Sequence, residues 1–68
     1  MSLSVNGAPA PLPSPATVAA LVADITEIER PRGIAVALNG EVVPRSAWDT
    51  THLRSGDRVE VLTAAQGG

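Results

Sequence analysis

Ile34-Ala35-Val36-Ala37-Leu38-Asn39-Gly40-Glu41-Val42-Val43-Pro44 is the stretch whose reading decides the fold. Its first five residues include no polar member, the pattern of a strand covered on one face and lightly exposed on the other. Asn39-Gly40 then reads as a two-residue hairpin turn, because both central positions of a type I′ turn need φ > 0. Glu41-Val42-Val43 returns alongside until Pro44, which has no N–H to donate, stops the ladder.

Upstream, Met1, Leu3 and Val5 alternate with Ser2 and Ser4, the period of a strand with one buried face. Asn6-Gly7 repeats the tight-turn signal. The returning strand, Ala8 to Leu12, carries Pro9 and Pro11, so it belongs at an edge of the sheet and should be short. Ser14-Pro15-Ala16-Thr17 reads as a helix start, with Ser14 or Thr17 as the cap. Val18, Leu21, Val22, Ile25 and Ile28 then fall on one helical face, with Asp24, Glu27 and Glu29 mainly toward the other side, until Pro31 and Gly33 end the pattern. One amphipathic helix cannot bury its stripe alone and must lie across a sheet. Downstream, Arg45 to Arg54 is irregular, with Ser46 or Asp49 available to cap a short helical turn. Ser55-Gly56-Asp57 is a turn and Arg58-Val59-Glu60-Val61-Leu62-Thr63 is the last strand.

The order strand, strand, helix, strand, strand, strand predicts an α+β chain with a mixed sheet of four to five strands and one helix packed across one face. This arrangement is similar to the β-grasp family, of which ubiquitin is a member. If the first and last strands are central neighbours they run parallel, joined through the crossover that contains the helix. Residues 1–63 are expected to form this domain and residues 64–68 a flexible C-terminal tail.

Composition removes most chemistries. Sixty-eight residues make one domain at most. With no cysteine and a single histidine, His52, neither a disulfide nor an ordinary transition-metal site is expected. Net charge is −2, the five cations (Arg30, Arg32, Arg45, Arg54 and Arg58) are scattered, and Trp48 is the sole aromatic, so nothing favours a nucleic-acid partner. No apolar run is long enough to span a membrane and no secretory signal opens the chain, so a cytoplasmic location is expected. There is no lysine, hence no Schiff-base nucleophile, and no nucleophile–base pair stands out.

What remains is the ending Gln66-Gly67-Gly68. Glycine has no Cβ, so such a tail can lie extended in a narrow channel with its terminal carboxylate unshielded. That carboxylate is anionic at neutral pH and able to attack the α-phosphate of a nucleotide. Two terminal glycines arise by chance roughly once in two hundred chains, which makes them a hint that needs a body behind it.

That body resembles the thiamine-biosynthesis sulfur carrier protein family (ThiS), a ubiquitin-like β-grasp family. The likeness is carried by V5-N6-G7, T17-V18-A19-A20-L21, the run A35 to R45 with W48 beyond it, G56-D57-R58-V59-E60-V61, and Q66-G67-G68. The proline-rich second strand departs from the family's pattern. The resemblance implies that the Gly68 carboxylate is adenylated by an E1-like, ThiF-like adenylyltransferase using ATP with magnesium. Sulfur mobilised from cysteine by a desulfurase system then gives a thiocarboxylate, which donates sulfur to a ThiG-like thiazole synthase. The chain would be a carrier and not an enzyme, binding no cofactor or metal of its own, with Gly67 and Gln66 giving the terminus access.

If Val59 and Val61 point inward, Arg58, Glu60 and Leu62 point out on the sheet face opposite the helix. Leu62 beside Ala35 and Ala37 would then form a candidate docking face next to the tail. Trp48 is read as a cap on the core, His52 as a surface residue and Asp57 as a turn former. Arg45 and Arg58 are read as solvated, with an ion pair to an acidic partner open to one of them. The same residues also allow a sulfur carrier of another pathway, such as the small subunit of molybdopterin synthase, a ubiquitin-like protein modifier, or a plain interaction module.

Overall fold

A computed structural model describes residues 2–25 and 33–63. The strands are β1 (Ser2–Val5), β2 (Ala8–Pro11), β3 (Ile34–Leu38), β4 (Glu41–Val43) and β5 (Arg58–Thr63), with a helix α1 (Val18–Ile25) and a 3₁₀ turn at Arg45–Ala47. They form one sheet in the order β2-β1-β5-β3-β4. β1 and β5 are parallel, with Ser4 opposite Arg58 and Val5 opposite Val59, and the other pairs are antiparallel. This is the mixed β-grasp sheet expected from the sequence, with the first and last strands adjacent near its centre.

Turn chemistry sets the two hairpins. Asn6 and Gly7 have φ of 53° and 84°, and Asn39 and Gly40 have 50° and 89°, the left-handed pairs that a type I′ connection needs. β2 lies at the edge, where Pro9 and Pro11 cost no central ladder bonds, and keeps a regular register with β1 from Ala8 to Pro11. The departure of this segment from the family's pattern therefore leaves its pairing intact. It ends at Pro11, one residue short of Leu12.

Alternation sends one set of residues inward. Leu3, Val36, Val43, Val59 and Val61 meet Val18, Leu21 and Val22 of α1, and Trp48 and Leu53 close the same core. Val18 and Val59 are fully buried, and each such side chain removed from water stabilises by about 1.5–3 kcal/mol. Thr17 is the N-cap: its Oγ1 accepts from the Ala20 N–H at 3.1 Å. Of the two cap candidates, Thr17 therefore takes the role at the start of α1.

Three expectations are corrected. Ile25, placed on the buried stripe, is 43% exposed, because it stands a turn beyond Leu21 and Val22 at the end of α1. Neither Ser46 nor Asp49 caps the helical turn. That turn starts instead from extended Pro44, whose carbonyl accepts from the Ala47 N–H at 2.8 Å, with no side-chain cap bond. The irregular segment also contributes Leu53, buried at 4% exposure, which no periodic pattern marked. Its backbone is tied to the start of the helix by Leu53 N–H to Ala16 O and Val18 N–H to Thr51 O. The expected positions of Ile28, Glu27, Glu29 and Pro31, and of the tail 64–68, lie outside the described residues.

Candidate functional site

β5 is the strand that precedes residues 64–68 in the chain, and its neighbours decide what surrounds its exposed side chains. Val59 and Val61 are buried, whereas Arg58, Glu60 and Leu62 are exposed on the face away from α1. Register places Leu62 opposite Ala35 and Glu60 opposite Ala37. Ala35 is exposed and Ala37 half-buried, so the five residues named from the sequence stand on one sheet face.

Alanine at both β3 positions keeps this face low, and Leu62 rises from it with 67% of its surface exposed. Val42, opposite Ala37 on the edge strand, adds a second apolar side chain at 76% exposure. Sequence reading missed Val42, although the period of two that turns Val43 inward should have placed Val42 outward. The apolar step Leu62–Ala35–Ala37–Val42 is flanked along β5 by Arg58 and Glu60, one charge of each sign.

The other singled-out residues have structural work. Trp48 is buried, and its indole N–H donates to Val43 O at 3.0 Å. The Arg45 guanidinium lies 5.6 Å from the ring centroid, so Arg45 covers the indole as well as meeting solvent. Val43-Pro44-Arg45-Ser46-x-Trp48 is thus a fastening: proline ends the edge strand, the 3₁₀ turn brings the indole back, and the indole takes the last strand carbonyl. Asp57 shapes its turn as expected: one carboxylate oxygen accepts from the Arg54 N–H at 2.8 Å, and the other from the Asn39 carboxamide at 3.2 Å. His52 is exposed, and its backbone bridges to Thr17.

The model of the ThiS family matches residues 3–68. The chain belongs to the ThiS family. Among solved structures, the thiamine biosynthesis protein (ThiS) of Geobacter metallireducens is 37% identical, with 100% of each chain covered and a TM-score of 0.77. Comparison with the curated proteins found no match. Membership bears out the resemblance read from the sequence, and with it a sulfur carrier of thiamine biosynthesis as the family's type. In this ThiS-family chain the face around Leu62 adjoins the last described residue, Thr63, while Gln66, Gly67 and Gly68 lie outside the described residues. Among the described residues no helix is long and apolar enough to cross a membrane.

Proposed function

We propose that this chain is a cytoplasmic sulfur carrier for thiazole formation and that its reacting group is the carboxylate of Gly68. The supporting observation is the junction of an exposed apolar face with the strand that leads to the diglycine, in a chain that the family model matches through residue 68. Leu62, Ala35, Ala37, Arg58 and Glu60, extended by Val42, form the docking face for an E1-like, ThiF-like adenylyltransferase and a ThiG-like thiazole synthase. The five residues beyond Thr63 span at most about 17 Å when extended, enough to carry a carboxylate from the docked body into a partner's active site.

The chemistry follows from what a carboxylate lacks. A carboxylate oxygen attacks the α-phosphorus of ATP and pyrophosphate leaves, its charge neutralised by magnesium held at the partner. The resulting acyl-adenylate turns a poor electrophile into one with a good leaving group. A persulfide, supplied from cysteine by a desulfurase system, displaces AMP to give an acyl disulfide. A thiol reductant then cleaves its S–S bond, becoming a disulfide itself and leaving the thiocarboxylate. Glycine at both final positions lets the tail enter a narrow channel, with Gln66 as the last residue to carry a side chain.

Intact mass after incubation with ATP, magnesium, cysteine, a thiol reductant, the desulfurase and the E1-like enzyme tests this reading. One oxygen replaced by sulfur is expected on the intact chain and not on a chain lacking Gly68, whose fold should be unchanged. A terminus that stays unmodified refutes the proposal, and acyl conjugates on other proteins indicate a modifier instead.

A further inference from the structure

The two Asn-Gly turns do more than reverse the chain: each aims its asparagine at β5, from opposite flanks and at opposite ends. At the start of the strand, the Asn39 N–H donates to Arg58 O at 2.7 Å, and the Arg58 N–H donates to the Asn39 carboxamide oxygen at 2.9 Å. Toward the tail, the Asn6 N–H donates to Val59 O at 2.9 Å. The Asn6 carboxamide then takes both main-chain groups of Val61: its oxygen accepts from the Val61 N–H at 2.9 Å, and its nitrogen donates to Val61 O at 3.1 Å.

The second arrangement is a side chain acting as a peptide unit. β1 accompanies β5 only as far as Val5 opposite Val59, then turns away into β2. A carboxamide carries one acceptor and a donor, like the backbone, so Asn6 continues the parallel ladder to Val61 after its own strand has left. β3 holds the other flank out to Thr63. Without Asn6, the segment from Val61 to Thr63 would be held by β3 alone, and that segment carries Leu62.

We propose that Asn6 is a positioning residue for transfer at the C-terminus: by holding the Val61 main chain it sets the line on which β5 leaves the sheet toward the reacting carboxylate. The inference rests on the reading of Gly68 as the charged group. A partner that docks on Leu62 and draws in the tail needs this strand end already ordered, since each residue it must order during binding weakens the association. Asn6 therefore acts on recognition, and the effect of removing it belongs in KM, with kcat for adenylation nearly unchanged.

Asn39 supplies the control, because it clamps the same strand with the same chemistry at the end remote from the tail. Asn6→Gly and Asn39→Gly both keep a residue that tolerates φ > 0, so each turn survives while its side-chain clamp is lost. In the full-length chain, both variants should lose similar thermal stability. With the E1-like enzyme and ATP, pyrophosphate release should show KM raised about tenfold for Asn6→Gly, equivalent to about 1.4 kcal/mol. Asn39→Gly should stay within about twofold of the parent, a change too small to count as recognition on the same scale. Hydrogen exchange of the Val61 amide should quicken in Asn6→Gly and not in Asn39→Gly. Equal KM changes in the two variants, an unchanged KM in Asn6→Gly, or unaltered Val61 exchange overturns the role of Asn6. A parent chain that releases no pyrophosphate overturns the Gly68 reading, and the transfer role with it.

Discussion

Replacing Trp48 with phenylalanine isolates the fastening at the end of β4. The ring stays apolar and nearly as large, but the N–H that donates to Val43 O at 3.0 Å is lost. Val43 is 9% exposed and Trp48 5%, so solvent has little access to the carbonyl left behind. Val43 also lies opposite Val36 in the β3–β4 ladder, so its carbonyl stays paired there and the loss is that of one hydrogen bond, about 0.5–1.5 kcal/mol. Weaker attraction for the Arg45 guanidinium, 5.6 Å from the centroid, adds about 0.5 kcal/mol. The sum, about 1–2 kcal/mol, is a sizeable share for a domain of this size, whose core rarely supplies more than about 3–5 kcal/mol. At about 4–8 °C per kcal/mol, Trp48→Phe should lower Tm by roughly 4–16 °C. Far-UV circular dichroism is the suitable assay, since the variant loses the chain's sole aromatic fluorophore of the indole type. Arg45→Ala, measured in parallel, should shift Tm by only about 2–4 °C, separating the cation–π contact from the hydrogen bond. A Trp48→Phe protein that melts no lower than Arg45→Ala would show that the indole bond contributes nothing. If stability were kept while docking to the adenylyltransferase was lost, Trp48 would be a partner anchor, and the reading of it as a core cap would be wrong.

Leu62→Ser should leave the unfolding midpoint within about 0.5 kcal/mol of the parent, because the side chain is 67% exposed. The same change should weaken docking to the adenylyltransferase, and titration of the two proteins would detect it; unchanged affinity removes Leu62 from the interface. Thr17→Ala, which strips the acceptor from the Ala20 N–H, should cost about 1 kcal/mol in urea unfolding. Thr17→Ser should restore most of that, and an equal loss in both variants would mean that the methyl group, and not the cap, matters. Gly56→Ala meets open space but must hold φ near +91°, so a loss of about 1–2 kcal/mol is expected. A neutral result by the same measurement would show that the turn relaxes to another conformation.

How far the sequence could be read depended on whether each signal was local. Strand alternation placed Val59 and Val61 inward and Leu62 outward, and the two Asn-Gly pairs placed both hairpins, because those patterns act within a few residues. The proline content of β2 gave its edge position for the same reason. Leu53 escaped notice because it is placed by backbone bonds across the fold, its own N–H to Ala16 O and the Val18 N–H to Thr51 O, in a segment without periodicity. Ile25 shows the reverse error, since a correct helical period says which way a side chain points and not how far the sheet beneath it extends. Val42 was legible in principle, but a three-residue strand offers too short an alternation to weigh by itself.

The asparagines make the distinction sharper. Both turns were recognisable from their backbone requirement, which glycine could meet equally well at either position. What singles out asparagine over glycine at positions 6 and 39 is a long-range bond to β5, visible only once the last strand lies between the first and the third. Asparagine in an Asn-Gly turn can therefore answer two constraints, a local one from φ and a distant one from the ladder beside it. The two are separable by experiment, because glycine satisfies only the first. In a fold that inserts its final strand into the sheet centre and extends the tail from that strand, the second constraint bears most on the residue nearest the exit. Asn6 occupies that place, and Val61 is the point at which it acts.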